Sequence, residues 1–337
     1  MWPRPVLRRR LLLAAPLAFC GPIAARADAR RFRIALANLD ETPGTTLEGL
    51  GFTGMDVRRS FELAARTLPI DMLYFDNAGD AARAIANADA AIAAGADLLI
   101  EYCADADANA EIARRLAAAD IPAFALVDPL PGAPLYGPDN RAAGRIAGRA
   151  LGSFALDTWP DQHVLGVLVG DLADACPAVS ERMQGITEGV HESLPTLQFA
   201  LLDTGGQSVR ADALLAKFLQ TQRGQRLLIA TLDDLAAVYA KNAIEMHRRQ
   251  SDCIIVSQGL DRNIHGGASE KKEIDPNNRG SVVLGSVAYY MDRYGYEVLP
   301  LVLRMLAGET LPPRATTQHV LVTAANVFRE YPPFDMN

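Results

Sequence analysis

The groups in this chain that could do chemistry lie where apolar runs end. Asp40 and Glu41 follow Arg33–Asn38, Asn77 follows Ile70–Phe75, and Glu101 and Tyr102 close Asp97–Tyr102. Asp128 follows Pro122–Val127, Asp171, Asp203 and Asp233 follow three later runs, and Gln258 and Asp261 follow Ile254–Ser257. Short runs rich in Val, Ile and Leu, closed by turn formers, read as buried strands. In open α/β sheets, ligands sit beyond the carboxyl ends of such strands. Acids, amides and an aromatic ring gathered there suit capture of a small molecule, the ring covering an apolar face and the polar groups holding hydroxyls or charge. The competing reading of each acid is a helix cap. It suits Asp76, Asp80 and Asp233 well, and Tyr102, Asp128, Arg182 and Gln258 less well.

Other chemistries lack a pattern. His163, His191, His247, His265 and His319 share no ligand spacing, so no metal site is expected. No Gly-x-Ser-x-Gly elbow and no Gly-Lys-Ser/Thr loop occur, and catalysis has no support. Gly49–Gly54, GLGFTG, matches G-x-G-x-x-G. The preceding strand ends near Asn38, about ten residues too early for the tight turn of a dinucleotide site. No cofactor is expected.

Helical patterns separate the strand runs: roughly Gly54–Thr67, an Ala-rich stretch to Ala94, and Ala106–Ala119. From His163 the alternation starts again, repeating the architecture and not the letters. Alternating strands and helices predict an α/β fold with parallel, doubly wound sheets. Tyr136–Ala155, YGPDNRAAGRIAGRALGSFA, stands between the halves as a turn followed by a helix. The polar stretch Leu260–Gly280 reads as a mobile loop or a short frayed helix.

That passage, Asp139-Asn140 before AGRIAG at Ala143–Gly148, resembles the first interlobe crossing of sugar-type, type I periplasmic binding proteins. Ser286-Val287-Ala288, then Tyr294-Gly295-Tyr296 and Ala307-Gly308-Glu309, is similar to their third crossing, and Arg182 in SERMQGI resembles a ligand-reaching Arg. The resemblance covers Arg33 to about Val327. It implies two Rossmann-like lobes joined by three crossings, residues 31–138 with 287–315 and residues 139–286 with 316–332. It implies a ligand held by Asp40, Glu41, Phe52, Glu101, Tyr102, Asp128, Arg182, Asp233, Gln258 and Ser286, with lobes that close on it. The implied partner is an inner-membrane ABC permease; a periplasmic sensor feeding a histidine kinase and an exported enzyme are the rival readings. Departures from the pattern bear on the ligand. Leu232-Asp233 stands for Asn-Asp, Gln258 or Gly259 for an Asp, and a longer loop with Phe52 and Met55 replaces paired aromatics. They suggest a ligand that is less polar or larger than a standard monosaccharide. Arg182 is expected to reach the cleft without contributing packing.

Composition bounds the rest. Arg4, Arg8, Arg9 and Arg10, the apolar run Leu11–Phe19 and Ala25-Arg26-Ala27 form a secretory leader with cleavage expected after Ala27. Its removal takes five arginines and no acid, moving the net charge from −7 to −12 and leaving 310 residues. So acidic a chain argues against nucleic acid and anionic membranes. The expectation is a periplasmic monomer. Cys103, Cys176 and Cys253 remain; Cys253 is expected buried and inert, and a Cys103–Cys176 bridge is conceivable.

Overall fold

The computed structural model describes residues 31–172, 176–265, 273–274 and 281–331. The expected leader and most of Leu260–Gly280 lie outside them.

Strand β1 (Phe32–Asn38) is FRIALAN, and Ile34–Asn38 are fully buried. A parallel strand covered on both faces must be apolar throughout. Its neighbours are β2 (Ile70–Asp76) and β3 (Leu98–Glu101), followed outward by β4 (Ala123–Leu126) and β5 (Leu135–Gly137). Helices α1 (Gly54–Ala65), α2 (Ala81–Ala93) and α3 (Ala106–Ala118) connect these strands. Ala84, Ala88 and Ala91 form the buried stripe of α2, a helical spacing that lets the helix lie close on the sheet. Thr53 and Asp56 form a capping box at α1, while Asp80 and Asp105 accept the N–H groups of Arg83 and Ala108 to cap α2 and α3.

After the first crossing come α4 (Asn140–Thr158), β6 (Val164–Gly170), α5 (Pro177–His191), β7 (Phe199–Asp203) and α6 (Arg210–Thr221). They are followed by β8 (Arg226–Thr231), α7 (Asp234–Met246), β9 (Cys253–Gly259), the short α8 (Arg262–His265) and β10 (Val283–Ala288). The chain then returns: α9 (Tyr294–Leu306) packs on α1, and β11 (Arg314–Thr316) pairs with β5 at the edge of the first sheet. It crosses a third time to β12 (Leu321–Thr323), antiparallel to β10, and α10 (Val327–Glu330).

The two sheets have matching orders, β2-β1-β3-β4-β5-β11 and β7-β6-β8-β9-β10-β12. Each switches direction of winding at its second strand, between β1 and β3 and between β6 and β8. The fold is thus two α/β lobes of parallel-dominated sheets. Val287 and Ala288, placed with the first lobe by sequence, end β10 in the second sheet, paired with Gln258 and Gly259, and the passage they open, expected as the third crossing, is the second. The β5 strand was missed because its three residues sit between Pro134 and Pro138, which read as loop.

Helices α4 and α5 pack backbone against backbone. A Cβ at Gly144 would lie 2.1 Å from the Arg182 carbonyl oxygen, and one at Gly148 would lie 2.1 Å from that of Ile186. Arg141, Arg145 and Arg149 line the same seam opposite Glu188 and Glu192. This contact sets the height of Arg182 above the sheet. Cys103 and Cys176 are unpaired thiols, and Cys253 is buried as expected.

Candidate ligand-binding site

The loop from β1 to α1 leaves the first switch point and reaches the second lobe. The Leu47 N–H donates to the Phe52 carbonyl at 2.8 Å, and the Leu50 N–H to that of Leu47 at 2.8 Å. Glu48 and Gly49 between them have φ of +56° and +64°. Positive φ at both central residues of an i→i+3 turn is the type I′ pattern, which favours Asn and Gly and makes Glu48 a strained occupant. Leu47, Leu50 and Phe52 are buried, so the loop is packed and not open. Phe52 therefore belongs to the hydrophobic core, although sequence reading placed it among ligand contacts.

The loop touches both lobes. Tyr102, at the end of β3, donates its hydroxyl to Glu48 Oε1 at 2.8 Å. Arg182 of α5 donates to the Glu48 carbonyl at 3.2 Å. Gly51 lies so near the second lobe that a Cβ there would fall 1.4 Å from Asp261 Oδ2.

Arg182 has no exposed surface. Its guanidinium donates to Asn140 Oδ1 at 3.0 Å and to the Leu232 carbonyl at 2.8 Å, and it lies 5.0 Å from the Tyr289 ring centre. The expectation that it contributes no packing is corrected: the α4–α5 contact places it inside, between the crossings.

Other sequence candidates are committed to the chain itself. Asp40 accepts from the Thr42 N–H. Glu41 accepts from Asn38 Nδ2 at 3.1 Å and from Arg58 at 2.8 Å. Asp233 caps α7 through the Ala236 N–H. Ser286 donates to Asp234 Oδ1 at 2.7 Å and accepts from the Leu260 N–H. Asp234 itself, fully buried, also takes the Ser257 hydroxyl and the Asp261 N–H, knitting the ends of β9 and β10 together.

Four polar side chains at the strand ends keep buried atoms without a hydrogen-bond partner among the described residues: Glu101 Oε2, Asp128 Oδ2, both amide atoms of Gln258, and Asp261 Oδ2. Buried polar groups are nearly always bonded, so such orphans mark a place built for something else. Burial pushes the Glu101 carboxyl up to about 8, against the Asn77 hydrogen bond. Burial, reinforced by the Glu48 charge, pushes Asp128 up to about 7. Asp234 and Asp261 are both raised, chiefly by burial. A carboxyl held neutral at physiological pH, as Glu101 is, can donate as well as accept. Among the described residues no group of three or more His, Cys, Asp or Glu is arranged to hold a metal ion.

Sequence reasoning missed Glu48, Asp234, Asn140 and Tyr289 as parts of this site. Asn140 lies within the first crossing phrase, and Tyr289 directly follows Ser286-Val287-Ala288. Glu48 carried no signal, since one acid in a Thr- and Gly-rich loop looks solvated.

Comparison with known proteins places the chain. The model of the periplasmic binding protein domain matches residues 49–310. A search of curated proteins finds no match. Among solved structures, a sugar ABC transporter (sugar-binding protein) from Bacillus halodurans superposes with a TM-score of 0.68 at 18% identity, over 89% of this chain and 100% of that one. An ABC transporter periplasmic solute binding protein from Actinobacillus succinogenes with bound D-allose gives 0.66 at 14% identity, over 89% and 100%. A XylFII–LytSN complex gives 0.59 at 14%, over 89% and 100%. With the family model spanning most of its length and both sheets in the matching order, this chain belongs to the periplasmic binding protein domain family.

Proposed function

We propose that this chain is the solute-binding protein of an ABC importer, a periplasmic monomer that captures a small molecule between its lobes and presents it to an inner-membrane permease. The ligand is sugar-like, or a less polar metabolite. One observation carries the reading: Glu101, Asp128, Gln258 and Asp261 offer unpartnered buried atoms at the strand ends of both sheets. Strand ends at facing switch points are where this architecture takes its ligands. The solved structures with bound D-allose and of a sugar-binding protein support a sugar or polyol class. Closure would turn on the three crossings, with residues 31–138 and 289–315 moving against 139–288 and 316–332.

The test is mass spectrometry of molecules that co-purify with the protein, then calorimetric titration of those and of D-allose. A saturable ligand is expected, with Gln258→Ala weakening it about tenfold or more, as loss of one or two buried hydrogen bonds implies. Saturable binding indifferent to both Gln258→Ala and Asp128→Ala would move the site elsewhere.

The likeness to the XylFII chain of the XylFII–LytSN complex favours a second reading, a sensor whose closed form engages a signalling receptor. Pull-down from membranes separates the two, by recovery of a permease or of a histidine kinase.

A further inference from the structure

The Glu48 turn raises a question about the ligand itself. Tyr102 and Arg182 stand at the switch points of opposite lobes, where the ligand would sit; Tyr102 donates to the Glu48 carboxylate and Arg182 to the Glu48 backbone carbonyl. Glu48 holds this place at φ +56°, a conformation that glycine would adopt without strain.

Arg182 supplies a second, independent observation. It has no exposed surface, yet among the described residues its hydrogen bonds all go to neutral acceptors: Asn140 Oδ1 and the carbonyls of Leu232 and Glu48. Asp233, whose carboxyl feels the Arg182 charge, spends its hydrogen bonds on the start of α7 and on Ser208. A buried cation without a bonded anion is costly. Burial keeps the nearby acid Glu101 largely protonated and Asp128 partly so, which lessens the repulsion an incoming anion meets.

We propose that the seat between Tyr102 and Arg182 is a subsite for a ligand carboxylate, and that Glu48 is its displaceable internal stand-in. The inference rests on the binding reading above and narrows it, from a neutral sugar to a small molecule bearing a carboxylate, such as a sugar acid. Leu47 and Leu50, on either side of Glu48, are buried in the hydrophobic core and anchor the turn. On arrival the ligand carboxylate takes the Tyr102 hydroxyl on the side facing the guanidinium, and the Glu48 side chain swings out while Leu47 and Leu50 stay buried. Apparent affinity is then lowered by the fraction of molecules in which Glu48 holds the seat.

The experiment removes the stand-in and returns its chemistry. Glu48→Gly deletes the side chain and relaxes the turn, and propionate is that side chain in solution. Thermal melts of Glu48→Gly should rise saturably with sodium propionate, by about 1–3 °C near 100 mM. Propionamide and sodium chloride at matched concentrations should do nothing, and wild type should not respond to propionate. If Glu48→Gly fails to fold, Glu48→Ala with acetate is the equivalent pair. No response to the carboxylate, or an equal response to the amide, would overturn the carboxylate subsite. Neither result touches the binding reading, which stands or falls on titration of the wild-type protein with co-purified ligand and D-allose.

Discussion

Arg182 is the residue where local and global demands meet. Its charge is fully buried, and its guanidinium joins the start of α4, the end of β8 and the loop after β1. Truncation leaves the Leu232 and Glu48 carbonyls without that donor. Hydrogen bonds to a charged group are worth about 1.5–3 kcal/mol each, offset here by relief of a buried charge. Arg182→Ala should therefore destabilise the ligand-free protein by about 2–4 kcal/mol in urea unfolding, besides weakening ligand; unchanged stability would contradict the packing described. Glu101 makes the opposite case. Its carboxyl is raised to about 8 from an ordinary value near 4.5. The folded state binds the extra proton between those values, so stability falls as pH rises from about 4.5 to 8. Glu101→Gln should gain on wild type by about 1–3 kcal/mol between pH 5 and pH 8. Equal pH profiles for the two proteins would show that Glu101 is not held neutral.

At the scale of elements, the α4–α5 seam decides whether Arg182 is in place. The arginines and glutamates along it are conspicuous in sequence but half exposed, and such pairs contribute under about 1 kcal/mol each. The glycines matter more, because the facing backbone leaves no room for a Cβ. Gly148→Val, with its Cβ 2.1 Å from the Ile186 carbonyl oxygen, forces the helices apart. Urea unfolding should show a loss of about 1–3 kcal/mol, the usual cost of overpacking, against a small change for Arg149→Ala. The reverse ranking would place the seam's stability in its charges.

At the scale of the molecule, the three crossings are tied by one side chain. His319, between β11 and β12, donates from Nδ1 to the Ala288 carbonyl at 2.9 Å and accepts the Asp139 N–H at Nε2, 3.0 Å away. Thus the third crossing grips the end of β10 and the start of α4 together. Only the neutral ring can accept from Asp139. Burial lowers the His319 pKa, and the Ala288 hydrogen bond and Asp139 partly oppose it. A depressed histidine pKa stabilises the fold fully above about 6.5, and that contribution is lost as pH falls through the folded value. Wild type should exceed His319→Phe by about 1–2 kcal/mol at pH 7.5, with the difference shrinking by pH 5. A constant difference across that range would assign His319 a packing role alone.

The alternation of buried runs and helical stripes, legible from Arg33 onward, was enough to determine two parallel α/β lobes, because strand and helix periods are local properties of the chain. The caps Asp80 and Asp233 were legible for the same reason, since capping needs only a side chain and the N–H groups two or three residues on. The pair Tyr102 and Gln258 was nameable from strand-end position. What each does there was not: Tyr102 donates across 54 residues of sequence to Glu48. Arg182 in SERMQGI reads as a group that reaches the cleft without packing, and it is interior because Gly144, Gly148, Gly185 and Gly189 bring α4 and α5 into contact. Phe52 packs in the core and the Glu48 carboxylate meets Tyr102, since a packed turn, not composition, decides which side chain of a loop faces inward. Periodicity specifies elements; partners far apart in sequence are chosen by burial and close approach, which exist only once both lobes have folded and met.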